Sequence, residues 1–188
     1  MTALQRDSRS RTHLGMLAFL ASDSVIFLLL VVSNVYLRRS EGHRGQELLL
    51  PGRMLIFSLL LWGSSGVLLL AERQRARGDR MGAGLLYLVT ALLGTAFALA
   101  QGLEWRSLMD KGGTVSASLF FSTFYTTTGL HGLHVLLGLP LLVGLALLSW
   151  TGAIGRRAPG VAAAVLYWHF VDAVWLVLYL VFYVWRGP

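Results

Sequence analysis

The sequence predicts an all-α membrane protein, a bundle of five transmembrane helices. Three observations lead there. Hydrophobic residues make up 55% of the 188 and charged residues only 13%, with a mean hydropathy of +0.64; a soluble domain carries roughly twice that charge. Five apolar stretches consume nearly the whole length, and about 20 apolar residues in a helix cross a bilayer. Fifteen of the sixteen basic residues are arginine, gathered in short segments between those stretches. Helices are the natural spanning element, because every backbone polar group must be satisfied within the segment.

The first span runs from about Leu14 to Leu37. Arg6, Arg9 and Arg11 precede it, as in a signal peptide, but its apolar core exceeds the usual ~7–15 residues and no small-residue cleavage site follows. A retained helix is expected. The second span covers about Arg53 to Ala71, with Pro51 and Gly52 marking its entry. The third covers about Gly82 to Leu103. The fourth, about Ser118 to Trp150, is long enough to tilt or to end in the interface, and Pro140 within it predicts a kink. The fifth covers about Gly160 to Trp185. Together they read as one transmembrane domain over residues 1–188, with no length left for a soluble domain.

Five spans place the termini on opposite sides, and the arginines choose the orientation. Arg6, Arg9, Arg11, Arg73, Arg75, Arg77, Arg80, Arg156 and Arg157 lie on one side. Arg38, Arg39, Arg44, Arg53, Arg106, Lys111 and Arg186 lie on the other. Nine against seven, with the dense run ERQRARGDR over Glu72–Arg80, favours a cytoplasmic N-terminus. Tyr36, Trp105, Trp150 and Trp185 at span ends suit interfacial anchoring. The net charge of +7 is therefore a mark of topology and not of a nucleic-acid partner. The chain has no cysteine, which excludes disulfides, thiolate metal sites and cysteine nucleophiles. No internal repeat is evident, and five spans do not divide into equivalent halves, which argues against a repeat-built transporter. Gly63, Gly66, Gly129, Gly132, Gly138 and Gly144 are expected to be helix-packing positions.

Ionisable groups inside the spans carry the functional question. A charged group in hydrocarbon costs about 2.5–3.5 kcal/mol and normally faces a protein interior. Asp23 lies nine residues beyond Leu14, about 13–14 Å along the helix, near mid-membrane. A proton-related role and a structural hydrogen bond both remain open for it. His131 and His134 share a helix face at i, i+3, as do His169 and Asp172. In number they would satisfy a zinc, iron or haem site. The alternative is a polar cluster that fixes helices, and the scarcity of further histidines (only His13 and His43) favours it. Glu104 is expected at the interfacial end of the third span.

TTTGLHGLHVLLG (Thr126–Gly138) followed by YWHFVDAVWLVLYLVFYVW (Tyr167–Trp185) resembles the last two helices of subunit III of haem–copper terminal oxidases. LGMLAFLASDSVIFLLLVVSNVY (Leu14–Tyr36) resembles that family's helix with an intramembrane acid, and AQGLEW (Ala100–Trp105) the end of a later one. The likeness spans Leu14 to Trp185. It is similar to the five-helix form found in bacterial quinol oxidases and in small relatives encoded with nitric oxide reductases. The seven-helix form has two further helices ahead of these, which enclose phospholipid, and this chain matches from the third. The acid is usually glutamate in the family; here Asp23 stands in that place, one methylene shorter.

The resemblance implies a multi-pass protein of the bacterial inner membrane with no catalytic residue, haem, copper or other metal of its own. Haem and copper are then expected in partner subunits, with oxygen reduced in subunit I. Other oxidase subunits and membrane lipid, including bound phospholipid, are the further partners. Subunit III would support proton uptake and protect subunit I during turnover. Asp23 becomes the proton-related residue, and Glu104, His131, His134, His169 and Asp172 become architecture or lipid and subunit contacts. Three alternatives stand beside this reading: the nitric-oxide-reductase-associated relative, a haem- or metal-binding membrane enzyme, and a proton-coupled transporter using Asp23 and Asp172.

Overall fold

Apolar length dictates the elements of the computed structural model, which describes residues 3–41, 45–154 and 159–185. Five helices follow in order: α1 (Ala3–Glu41), α2 (Pro51–Arg77), α3 (Arg80–Asp110), α4 (Leu119–Trp150) and α5 (Pro159–Tyr179). Each contains a stretch long and apolar enough to cross a membrane. A short 3-10 turn (Gln46–Leu48) precedes α2, and a π turn (Leu180–Val184) extends α5. No strand occurs among the described residues. Arg44, Arg156, Arg157, Arg186 and His43 lie outside them.

Local chemistry sets the ends. Pro51 occupies the first turn of α2, where its missing N–H costs nothing. Gly78 closes that helix at φ 87°, a left-handed conformation that favours glycine. The Asp79 side chain accepts from Gly82 N at 2.9 Å to start α3, and Ser118 does the same for α4 through Phe121 N at 3.3 Å. Polar pairs carry two helices past their apolar stretches. Glu72 and Arg75 pair at i, i+3 in the last turns of α2, so that helix runs six residues beyond Ala71. Glu104 is paired with Arg53, and α3 continues to Asp110 instead of ending near Leu103. α4 runs without interruption through Pro140.

Packing joins α2 to α3, α3 to α4, α4 to α5 and α5 back to α2, a closed four-helix arrangement. α1 lies outside it, against α4 and α5. Only 17% of α1's most apolar window is buried, against 50% for that of α5. Aromatic side chains fill the interior: Trp168, Trp175, Tyr87, Phe97, Phe124 and Phe182 are all under 2% exposed. Gln46 latches the α1–α2 connection onto the end of α5, donating to the carbonyls of Phe182 at 3.0 Å and Trp185 at 2.9 Å.

The glycines divide differently from the sequence expectation. A Cβ on Gly138 would stand 2.8 Å from the Trp168 ring, and one on Gly129 would stand 3.3 Å from Trp105. These two are packing positions. Gly63, Gly66, Gly132 and Gly144 have nothing within 4 Å of a Cβ, so they are not packing positions within the chain. Two unremarked glycines take that part: Gly94 against Trp168 (2.5 Å) and Gly84 against Trp150 (2.2 Å). Spacing along one helix does not reveal where a bulky partner crosses it.

Candidate functional site

Helix α5 presents a polar and aromatic stripe to α2. Trp168 Nε1 donates to Ser64 Oγ at 3.0 Å and Trp175 Nε1 to Ser58 Oγ at 2.8 Å. His169 Nδ1 lies 3.0 Å from Ser65 Oγ, and Ser65 donates to Asp172 Oδ2. A hydroxyl has one proton to give, so Ser65 accepts from His169 and passes its own proton's bond to Asp172. Tyr179 donates its hydroxyl to the Pro51 carbonyl at 3.1 Å. Residues 168, 169, 172, 175 and 179 recur at three- and four-residue steps, which puts them on one helix face. Each such bond contributes about 0.6 kcal/mol in membrane helices, so the row acts as a set.

Helix α4 receives α1. Asp23, 6% exposed, brings Oδ2 to 3.1 Å from His134 Nε2. The two atoms are within ion-pair range without forming an aligned hydrogen bond. His134 Nδ1 lies 2.8 Å from the Leu130 carbonyl. A carbonyl only accepts, so Nδ1 carries a proton. Nε2 therefore faces Asp23 with either its lone pair or a second proton. Tyr167 donates to the His134 carbonyl at 2.9 Å. About three helical turns further along α1, the fully buried Asn34 donates to Thr123 Oγ1.

His131 lies between the two groups and joins neither by a hydrogen bond. It is 1% exposed and stacks on Trp175, with ring centroids 5.1 Å apart at 26°. Phe97 and Phe27 approach it edge-on at 6.0 Å and 6.5 Å. Neither ring nitrogen has a hydrogen-bond partner among the described residues. Glu104, 1% exposed, accepts from Arg53 Nη2, so the carboxylate at the end of the third span is buried and paired rather than solvated.

The residues singled out in the sequence thus occupy separate places. His169 and Asp172 meet through Ser65 against α2. Asp23 and His134 meet between α1 and α4. His131 sits in an aromatic box, and Glu104 pairs with Arg53. Among the described residues, no three histidine, aspartate or glutamate side chains gather as metal ligands. Ser58, Ser64, Ser65, Asn34 and Arg53 were missed as partners. A signal for Ser64 and Ser65 exists in GSSG (Gly63–Gly66), small polar residues in an apolar helix; Arg53 reads in the sequence only as a topology charge.

His131→Ala is expected to lower the unfolding temperature of the full chain in detergent, because it removes a ring from a closed aromatic box. It should remove no haem or metal from the preparation. Loss of either in proportion to this subunit would contradict the structural assignment.

A family model described as cytochrome c oxidase subunit III matches residues 8–187. The chain belongs to the cytochrome c oxidase subunit III family. A cytochrome c oxidase subunit 3 of Synechocystis is 37% identical over 177 residues, covering 90% of this chain and 73% of that protein. A probable cytochrome c oxidase subunit 3 of Mycobacterium bovis is 39% identical over 130 residues, 67% of this chain and 63% of the relative. One from the fungus Trichophyton rubrum is 33% identical over 183 residues, 92% of this chain and 67% of the relative. The chain therefore spans about two thirds to three quarters of the length of these subunits. The match covers all five helices, so the Asp23–His134 contact and the α2–α5 stripe both lie within the part shared with subunit III.

Proposed function

We propose that this chain is the non-catalytic subunit III of a respiratory haem–copper oxidase in a bacterial inner membrane, with its N-terminus in the cytoplasm. It supports proton uptake by the catalytic subunit and its durability during oxygen reduction. The match to the subunit III family over residues 8–187 carries this reading. The relatives are named as cytochrome c oxidase subunits, which favours an oxidase over the nitric-oxide-reductase-associated alternative. Subunit I and the other oxidase subunits are the proposed partners; haem and copper belong to them. Purification in mild detergent at native expression should bring down a large haem-containing partner. A monodisperse chain without one would overturn the reading.

Asp23 is the proposed proton-related residue, and His134 is its partner. A carboxyl and an imidazole 3.1 Å apart place two proton-accepting groups side by side near mid-membrane. Glu104, His131, His169 and Asp172 are proposed to fix helices. Asp23→Asn keeps the size and a hydrogen-bonding group, so the complex should assemble. Proton uptake should slow, or the enzyme's lifetime under turnover should shorten. Unchanged uptake and lifetime would leave Asp23 with a purely structural part.

A further inference from the structure

The arginine-rich end of the bundle holds a cavity outside every group described above. About 150 Å³ lies open between the α2–α3 turn and the end of α4, with Arg75, Arg80, Ser149 and Gly152 among its lining residues. At about 30 Å³ per water, this is room for roughly five waters or for one tetrahedral oxyanion.

The sequence concentrates charge here. Glu72–Arg80 holds four arginines against Glu72 and Asp79, a local balance of four minus two, or +2. Glu72 fixes Arg75, whose Nε donates to Oε1 at 3.0 Å and Nη2 to Oε2 at 2.6 Å. Tyr87 of α3 donates to the same carboxylate. Asp79 is committed to the start of α3. Arg80 has no carboxylate partner among the described residues. Its guanidinium lies over Gly152, where a Cβ would stand 2.4 Å from Nη1. Gly152 also has φ +73°, so glycine is required there both for space and for backbone conformation.

Ser149 supplies the second observation. It is 4% exposed, and its hydroxyl has no hydrogen-bond partner among the described residues. Hydroxyls inside helices usually donate to the carbonyl four residues back, as those of Ser58, Thr126 and Thr128 do here. Ser149 does not, and a buried hydroxyl without a partner calls for one.

The competing use of the arginines is to offset the carbonyls at the ends of α2 and α4. Five of those carbonyls are already bonded within the backbone. Gly78 N and Asp79 N donate to Arg75 and Gln74, both at 3.0 Å. Thr151 N, Gly152 N and Ile154 N donate to Leu147, Ser149 and Leu148 at 3.0, 3.1 and 3.3 Å. The depth suits a headgroup too, because α2 ends, α3 begins and α4 ends at Trp150 on this side. Tryptophans at span ends sit at headgroup level, and basic pockets between membrane helices take anionic lipid headgroups.

We infer that this cavity binds one phosphate group, held by Arg75 and Arg80 with the Ser149 hydroxyl as a third donor. The phosphate comes either from an anionic phospholipid or from solution. The full chain is placed in nanodiscs of phosphatidylcholine alone, of phosphatidylcholine with phosphatidylglycerol, or of phosphatidylcholine with inorganic phosphate added. Retained lipid is counted by native mass spectrometry, and thermal unfolding is followed in each. Phosphatidylglycerol retention, with a raised unfolding temperature, assigns a lipid headgroup; stabilisation by inorganic phosphate assigns the soluble anion. In either case affinity should fall about tenfold in Arg80→Gln, the size expected for one charged hydrogen bond. Ser149→Ala should lose several-fold in affinity while its unfolding temperature in phosphatidylcholine alone stays unchanged, which keeps the test readable if Arg80→Gln fails to fold. Equal retention and equal unfolding temperatures for the native chain and Ser149→Ala in all three nanodiscs would overturn the inference.

Discussion

Arg53→Leu is expected to destabilise the folded chain by about 3 kcal/mol, the low end of the range for breaking a buried pair. Glu104 is the reason. Its side chain is 2% exposed, and Arg53 Nη2 is its ion-pair partner. Removing the guanidinium strands a carboxylate inside the bundle, where it must stay charged without a partner or take up a proton. Arg53 is 44% exposed, although its Nη2 reaches the buried carboxylate. That exposure places the loss at the lower end of the range. The double replacement Arg53→Leu with Glu104→Leu should recover most of the stability, because no buried charge then remains. Thermal unfolding of the purified full chain, run as a double-mutant cycle, measures this. Equal destabilisation by the single and double variants would mean that the pair is worth nothing beyond side-chain packing.

Gly94→Leu should cost about 3 kcal/mol or more, or prevent the chain from accumulating. A Cβ there would stand 2.5 Å from the Trp168 ring and 3.1 Å from Leu139 Cδ2. Trp168 has no room to retreat: it is 1% exposed, its other side meets Gly138, and its indole nitrogen is bonded to Ser64. Overfilling a packed interior forces backbones apart at about 1–3 kcal/mol, occasionally more. Gly63→Leu, with nothing within 4 Å of its Cβ, should stay within about 0.5 kcal/mol. The two variants add the same atoms to membrane helices, so the difference in unfolding temperature isolates the contact with Trp168. Similar behaviour of both would refute the packing role of Gly94.

Much of this was legible in one dimension. Long apolar runs had to become spanning helices, since a bilayer offers the backbone no other partner. The three- and four-residue steps of Tyr167–Trp175 placed His169 and Asp172 on one face before any neighbour was known. Helix ends were less legible. α2 passes Ala71 because Glu72 can pair with Arg75 one turn later, and α3 passes Leu103 on either side of a buried ion pair. Apolar length does not count such turns. The partners were least legible of all. Nothing local says that Asp172 meets Ser65, 107 residues away, or that Asp23 meets His134.

The sequence by itself determined that this chain crosses a membrane five times and that its costly polar groups lie inside the spans, because both follow from hydropathy along single helices. It also carried the motifs of the subunit III family. The tertiary structure decided which helices those groups join. It set His169 and Asp172 against α2 and His134 against α1, paired Glu104 with Arg53, and chose Gly94 over Gly63 as a packing position. The physical reason is that a side chain's environment in a bundle is set by the helix that crosses it, and crossings depend on the rotation and depth of two helices at once.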